Sequence, residues 1–97
     1  MIIVHDIFVC KPGNASKLAK IFKEAMKGNK EVINIMTDMT GQYNRVIMVS
    51  SYENLTAYEK AFENYKNPSK EMKENMTKMQ GYQDMYLTGS REIYQVW

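Results

Sequence analysis

Both alternating sets of positions in the first ten residues are apolar, apart from one His-Asp pair. This pattern predicts a strand from Ile2 to Cys10 that is buried on both faces. The chain's own helices can cover one of these faces, so the other predicts a partner subunit. The face with Ile2, Val4, Phe8 and Cys10 is expected to lie against the helices, and the face with Ile3, Ile7 and Val9 is expected to lie against the sheet of the partner.

A helical pattern follows the turn at residues 11–14. Apolar residues spaced by three and four predict a helix from Ala15 to Gly28 with one core-facing stripe. Lysines fill much of the remaining surface, which we interpret as a solvated face because no aromatic residues alternate with them. The stripe consists of Leu18, Ile21, Phe22, Ala25 and Met26.

The rest of the chain predicts a hairpin, a helical stretch and a last strand. Glu31–Met39 and Tyr43–Ser51 are two strands joined by a short turn. A helix should open at residues 51–54 and run to Lys66, where Asn67-Pro68 interrupts it. Its apolar stripe is Leu55, Tyr58, Phe62 and Tyr65, and Leu55 and Phe62 are expected to contact Val4 or Phe8 in the core. A further helix should begin near Pro68 and end at Gly89, because glycine commonly terminates helices. Its stripe continues at spacings of four and three through Met72, Met76, Met79, Gln83 and Tyr86. The last strand is expected from about Ser90 to Trp97.

This order of elements is βαββαβ with an extra helix before the last strand. It predicts an α+β, ferredoxin-like fold with a four-stranded antiparallel sheet in the order 4-1-3-2. The 97 residues should form one ferredoxin-like domain spanning residues 1–97. A chain of this size buries limited surface, which also favours oligomerisation.

Composition excludes several classes of partner and cofactor. A net charge of +2 is too small to predict binding to nucleic acid or to an acidic membrane. One histidine and one cysteine are too few for a zinc site, and no metal, haem or flavin is expected. The N-terminus lacks the features of a signal peptide, and no apolar stretch is long enough to span a bilayer. A cytoplasmic protein is therefore expected.

Asp6 is the acidic residue most open to a functional interpretation. It shares a strand face with Val4 and Phe8, where a carboxylate needs a cation or a solvated cleft. Arg45 and Arg91 are its candidate partners, because both neighbouring strands flank the first strand in the predicted sheet. Asp6 is either half of a structural ion pair or a group that orients a ligand. His5 cannot form a dyad with it, because adjacent strand residues face opposite sides.

Seven tyrosines offer aromatic walls for a pocket or for a core. Rings with a polar tip are typical of small-molecule clefts and of half-buried interfaces alike. Tyr58 and Tyr86 are the candidates that would stack on a ligand held by Asp6 and Arg45. Cys10 is interpreted as a buried thiol, although Lys11 beside it could lower its pKa. The wider aromatic set comprises Tyr52, Tyr65, Tyr82, Tyr94 and Trp97.

No nucleotide-binding loop, nucleophile elbow or zinc-protease motif occurs in the chain, so no motif fixes a reaction. The element order, the Lys11-Pro12-Gly13 turn and the closing Arg91-Glu92-Ile93-Tyr94 resemble the dimeric α/β-barrel superfamily. That group includes the antibiotic-biosynthesis monooxygenases and the NIPSNAP-like proteins, and the last strand resembles the NIPSNAP-like branch most. The haem-degrading branch is less similar, because Asp6 stands where that branch has asparagine.

The resemblance implies a homodimer whose two sheets face each other, with a pocket between each sheet and its helices. Some members of the superfamily oxygenate aromatic compounds there without metal or flavin. Two hypotheses follow. The chain is either a cofactor-independent monooxygenase-like enzyme acting on a small aromatic compound, or a non-catalytic dimer that binds a ligand or a partner protein. A closed pocket containing Asp6 and Arg45 would favour the enzyme, and one filled by Met72, Met76 and Tyr58 would favour the alternative.

Overall fold

The computed structural model describes the backbone of residues 1–97 and every side chain except that of Tyr65. Four strands and three α-helices follow one another in the predicted order, with a short 3-10 turn before the last strand. The elements are β1 (Ile2–Cys10), α1 (Ala15–Ala25), β2 (Val32–Thr37), β3 (Arg45–Tyr52), α2 (Leu55–Lys66), α3 (Lys70–Lys78), the 3-10 turn (Tyr82–Asp84) and β4 (Tyr86–Gln95).

The four strands form one antiparallel sheet in the order β2-β3-β1-β4. This is the predicted order, and β1 lies at the centre with β3 on one side and β4 on the other. Helices α2 and α3 begin at side-chain caps of the kind that the sequence favours. Asn54 Oδ1 accepts from the Ala57 N–H at 2.8 Å, and Ser69 Oγ accepts from the Met72 N–H at 3.2 Å.

The core lies between the sheet and α1. Leu18 and Phe22 are one helical turn apart on α1 and are fully buried, together with Val4 and Val46 of the sheet. Phe8 extends this core, since its ring lies 5.0 Å from that of Phe22. The expected division of β1 is therefore seen, with Val4 and Phe8 on the helix side.

Helix α2 packs less closely on the sheet than the sequence predicts. Leu55 and Phe62 were expected to contact Val4 or Phe8, but Leu55 is 61% exposed and Phe62 is 39% exposed. The Phe62 ring instead lies 4.8 Å from the ring of Tyr58 in the same helix. The space left between α2 and the sheet is the cavity described below.

The prediction that a helix runs from Pro68 to Gly89 is wrong. Helix α3 ends at Lys78, and Gly81 follows it at a φ of +86°, a conformation that glycine adopts without steric cost. Gly81 therefore stops the helix, and Gly89 lies inside β4, opposite Phe8. A Cβ at Gly89 would lie 3.2 Å from the Ile7 carbonyl oxygen, so that glycine permits close strand pairing instead.

The second face of the sheet points away from the helices. Ile7 lies at its centre, flanked by Ile47 of β3 and Ser90 of β4, and Met36 of β2 continues the row beside Ile47. Ile7 and Ile47 are half-buried, and Met36 is 39% exposed. We call this surface the open sheet face. It is mostly apolar where β1 and β3 meet.

Phe8→Ala is expected to lower the free energy of unfolding by about 3–5 kcal/mol, because it removes a ring that packs against Phe22 and Tyr86. Urea denaturation measures the loss. Leu55→Ala is the matched control, since Leu55 is 61% exposed and its truncation should cost less than about 1 kcal/mol. A loss below about 1 kcal/mol for Phe8→Ala would place Phe8 outside the core.

Gly81→Ala is expected to cost roughly 1–2 kcal/mol of stability, because an alanine Cβ is disfavoured in the left-handed region. Among the described residues, no heavy atom lies within 4 Å of the Cβ position at Gly81, so the expected cost is backbone strain. Gly81→Asn should lose less, since asparagine tolerates that region better. Equal losses for both variants in urea denaturation would contradict the assignment of Gly81 as the helix stop.

Candidate functional site

Asp6 occupies the middle of the helix-facing side of the sheet. Its neighbours across the strands are Met48 on β3 and Arg91 on β4, and Ile35 of β2 lies beyond Met48. The strand period places Asp6 on the same side as Val4 and Phe8, as the sequence predicted. A carboxylate at this position needs a cationic partner or water to offset its desolvation.

Arg91 is that partner. Its Nε donates to Asp6 Oδ1 at 2.5 Å, while the side chains of Arg91 and Asp6 are 48% and 21% exposed. The hydrogen bond to Asp6 is the main cause that raises the pKa of Arg91 above its ordinary value. Of the two partners that the sequence allowed for Asp6, the fold selects Arg91, because β4 places it directly opposite Asp6.

The guanidinium of Arg91 also contacts two aromatic rings of α2. Its Cζ lies 5.1 Å from the centre of the Phe62 ring and 5.8 Å from that of Tyr58. Both distances fall within the range of cation–π attraction. Arg91 thus joins β1, through Asp6, to the helix that covers this part of the sheet.

A cavity of about 490 Å³ lies between the sheet and the helices at this pair, which is a typical size for a small-molecule site. Its sheet side includes Asp6, Met48 and Arg91. All three helices or their ends contribute to the remaining wall, which is largely apolar and aromatic. The side chains from the helices and the 3-10 turn include Met26, Tyr58, Phe62, Met76, Met79 and Tyr82.

The contents of the cavity match neither hypothesis completely. Asp6 lines it, as the enzyme hypothesis requires, and Arg91 rather than Arg45 accompanies it. Met76 and Tyr58 lie in its wall and leave its volume open, while Met72 lines a neighbouring depression. The lining of the cavity combines one ion pair with methionine and aromatic side chains, which is the chemistry that suits an apolar molecule with one polar end.

Arg45 lies away from Asp6. It pairs with Val9 across the sheet, and its backbone N–H and its Nε donate to the two carboxylate oxygens of Asp38 at 3.1 and 3.3 Å. This contact closes the loop between β2 and β3, beside a separate depression of about 320 Å³. The structure therefore does not bring Arg45 together with the other predicted site residues.

Tyr86 packs against the core, on the side of the sheet that faces the helices. Its ring stacks on Tyr82 at 5.9 Å and meets Phe8 edge-on at 5.1 Å. The helical spacing that grouped Tyr86 with the methionines of α3 was misleading, because Tyr86 is the first residue of β4. Tyr58 and Tyr52 do line the cavity, and the predicted contribution of Tyr65 falls on a side chain outside the described residues.

His5 points to the open sheet face. Its ring lies 5.2 Å from that of Tyr94, and Glu92 is its partner across β1 and β4. The Tyr94 hydroxyl donates to Glu92 Oε1 at 2.8 Å, and this bond is the main cause that raises the pKa of Tyr94. His5 and Asp6 thus occupy different sides of the sheet, as strand geometry required.

Cys10 is a buried thiol. It is 2% exposed, and burial raises its pKa. The expectation of a buried structural thiol agrees with this position, and a lowering of the pKa by Lys11 does not occur. The described side chains contain no group of three or more histidine, cysteine, aspartate or glutamate residues that could hold a metal ion.

Two residues that matter here were not selected as ligand candidates from the sequence. Arg91 was named only as an ion-pair partner, and Phe62 only as a core residue. The signal for Arg91 was present, because the period of β4 places it on the same side as Ile93 and therefore under the helices. The sequence gives no such signal for Phe62, because residues that face a core and residues that line a cavity recur at the same helical spacing.

No protein-family model matches the chain, and no curated protein matches its sequence. None of the described helices is both long and apolar enough to pass through a bilayer.

Solved structures nevertheless share its architecture. A NIPSNAP domain protein from Burkholderia xenovorans, itself uncharacterised, has a TM-score of 0.78 at 10% identity, covering 100% of this chain and 95% of that one. A NIPSNAP family protein from Agrobacterium tumefaciens has a TM-score of 0.76 at 12% identity, covering 99% and 85%. An antibiotic biosynthesis monooxygenase has a TM-score of 0.60 at 7% identity, covering 100% and 99%.

The TM-scores establish a common fold, and the low sequence identities leave the activity open. The predicted ferredoxin-like α+β architecture is confirmed, and it is the architecture of the NIPSNAP and antibiotic biosynthesis monooxygenase proteins to which the sequence bears a resemblance.

Proposed function

We propose that this protein binds a small aromatic compound in the cavity beside Asp6 and acts on it as a cofactor-independent, monooxygenase-like enzyme. The observation that carries the proposal is the Asp6–Arg91 pair, the only pair of charged side chains among the described residues that line this cavity. A charged pair within an apolar wall is typical of a site that orients one polar group of a ligand.

Each neighbouring group has a distinct part in this proposal. The Asp6 carboxylate holds the hydroxyl of a phenolic substrate and accepts its proton, as a general base within hydrogen-bond reach would. Arg91 stabilises the phenolate that forms, because a cation favours the ionised state of a nearby acid. The rings of Tyr58 and Phe62 pack on the aromatic part of the substrate. Dioxygen is the oxidant: one of its oxygen atoms becomes a carbonyl oxygen on a ring carbon that loses its hydrogen, and the other leaves as water. The substrate is thereby oxidised to a quinone and supplies all four electrons.

The alternative is a non-catalytic protein that binds a ligand or a partner protein through the same fold. The half-buried apolar residues of the open sheet face favour an interface there. The fold shared with NIPSNAP proteins fits this alternative as well, since one solved relative from Agrobacterium tumefaciens is described as having unknown function.

We also propose that the protein is a homodimer in which two open sheet faces pack together. The described helices cover only the side of the sheet that carries Asp6, and Ile7 and Ile47 form an apolar centre on the other side. Sheets that pack face to face lie about 10 Å apart and bury such residues between them. The sequence resemblance to the dimeric α/β-barrel superfamily supports the same arrangement.

Retention of metabolites tests the ligand site. The wild-type protein and Ala61→Trp are incubated with an extract of small molecules, separated from it, and the bound compounds are identified by mass spectrometry. Ala61 lines the cavity, so tryptophan there should fill it. We expect an aromatic hydroxy compound on the wild-type protein and its loss from the variant. Retention by both proteins would exclude the cavity as the binding site.

Asp6→Asn tests catalysis on the retained compound. The variant keeps the shape of the side chain and removes the base, so incorporation of oxygen from labelled dioxygen should fall by at least about a hundredfold. The partly exposed ion pair makes the accompanying stability loss small, about 1 kcal/mol or less. Binding without any oxygen incorporation by the wild-type protein would select the non-catalytic alternative.

Sedimentation tests the homodimer. The wild-type protein should sediment with twice the mass of the 11.4 kDa chain at micromolar concentration, because a stable interface buries at least about 1,200 Å². Ile7→Asp should give monomers, since it places a charge at the centre of the open sheet face. Leu55→Asp is the control, because Leu55 lies at the exposed start of α2. A monomeric wild-type protein would overturn the proposed dimer.

A further inference from the structure

We infer that the cavity selects an uncharged ligand carrying a hydrogen-bond donor beside an acceptor, and that Asp6 is the residue that excludes anions. This inference rests on the proposed function, because it concerns the ligand of the same cavity. It goes further by assigning the charge of the ligand and the residue that determines it.

The charges that line the cavity balance each other. Among the described residues that line the cavity, Asp6 and Arg91 are the only charged ones, so the charges of the lining sum to zero. An arginine alone at an apolar wall would attract carboxylates and sulfonates. Here the Asp6 carboxylate is hydrogen-bonded to the same guanidinium and repels any second anion. Such an anion would lose its hydration in the cavity without a net opposite charge to offset that loss.

The Asp6–Arg91 pair keeps some of its hydrogen-bonding capacity for a ligand. Asp6 uses Oδ1 and Arg91 uses Nε in their mutual bond. Among the described residues, Asp6 Oδ2 and the terminal amino groups of Arg91 have no further hydrogen bond, which leaves an acceptor and donors next to each other. A ligand hydroxyl or N–H can donate to Asp6 while a neighbouring carbonyl or ether oxygen accepts from Arg91.

The surroundings of the pair are aromatic and apolar. The rings of Phe62 and Tyr58 lie 5.1 and 5.8 Å from Arg91 Cζ and 4.8 Å from each other, so both contact the guanidinium from one side and do not enclose it. Met48 lies beside Asp6 on the sheet, and Met76 and Met79 lie across from it. Thioether and aromatic groups favour the flat, apolar body of an aromatic ligand and provide no further charge.

Two dyes that share one ring system test the inference directly. N-phenyl-1-naphthylamine is neutral and carries one N–H donor, and 8-anilinonaphthalene-1-sulfonate is the same molecule with an added anionic group. Fluorescence titration of the wild-type protein should give a dissociation constant at least about tenfold lower for the neutral dye. Ala61→Trp should abolish binding of both dyes at this site, which separates cavity binding from attachment elsewhere.

Asp6→Asn should remove the discrimination. We expect the sulfonated dye to bind at least about tenfold more tightly to this variant, with the neutral dye changed by less than about threefold. Glu74→Gln is the matched control, because it removes one carboxylate from an exposed position on α3, outside this cavity, and should leave the ratio of the two affinities unchanged. Arg91→Gln keeps Asp6 and should weaken the sulfonated dye further.

The outcomes separate the two claims. If the neutral dye binds and Ala61→Trp blocks it, the cavity is a ligand site. Equal or tighter binding of the sulfonated dye by the wild-type protein would then overturn the selection against anions and leave the ligand site standing. An unchanged ratio in Asp6→Asn, or in Arg91→Gln if Asp6→Asn does not fold, would also overturn that selection. Failure of both dyes to bind the wild-type cavity would remove the proposed ligand site together with this inference.

Discussion

A carboxylate on the apolar, helix-facing side of a central strand has to be compensated, and the structure compensates Asp6 with Arg91. Their contact does more than tie β1 to β4, because the same guanidinium lies against two rings of α2. The position of α2 and the position of the ion pair therefore depend on each other. A hydrophobic residue in place of Asp6 would favour closer contact of α2 with the sheet, and the cavity would become smaller.

The two sides of the sheet differ in how they are covered. On the helix side, α1 supplies Leu18 and Phe22 to a fully buried core, while α2 and α3 surround an open space beside it. On the other side, apolar residues of β1 and β3 have no cover within the described chain. A cavity in a short chain reduces the apolar surface that the chain buries in its own core. Burial of the second face against another subunit would therefore add to the stability of the fold.

Local signals in the sequence were reliable where one physical requirement dominated. The period of β1 assigned Val4, Asp6 and Phe8 to one side, and the stripe on α1 identified Leu18 and Phe22. They were misleading after α3, where helical spacing continued past Gly81 to Tyr86 by coincidence. A glycine at positive φ ended the helix, and backbone pairing with β1 then placed Tyr86 and Gly89 in β4.

The sequence by itself determined the element order, the sheet order, the two-sided apolar character of β1 and the need of Asp6 for a cation. It could not choose between Arg45 and Arg91, because both lie on strands that flank β1 and because the choice depends on register and side. Only the tertiary structure decided this, by placing Arg91 opposite Asp6 and by directing Arg45 to Asp38 on the other side of the sheet. The cavity was likewise a tertiary result, since it arises from how far α2 stands from the sheet and no local pattern encodes that distance.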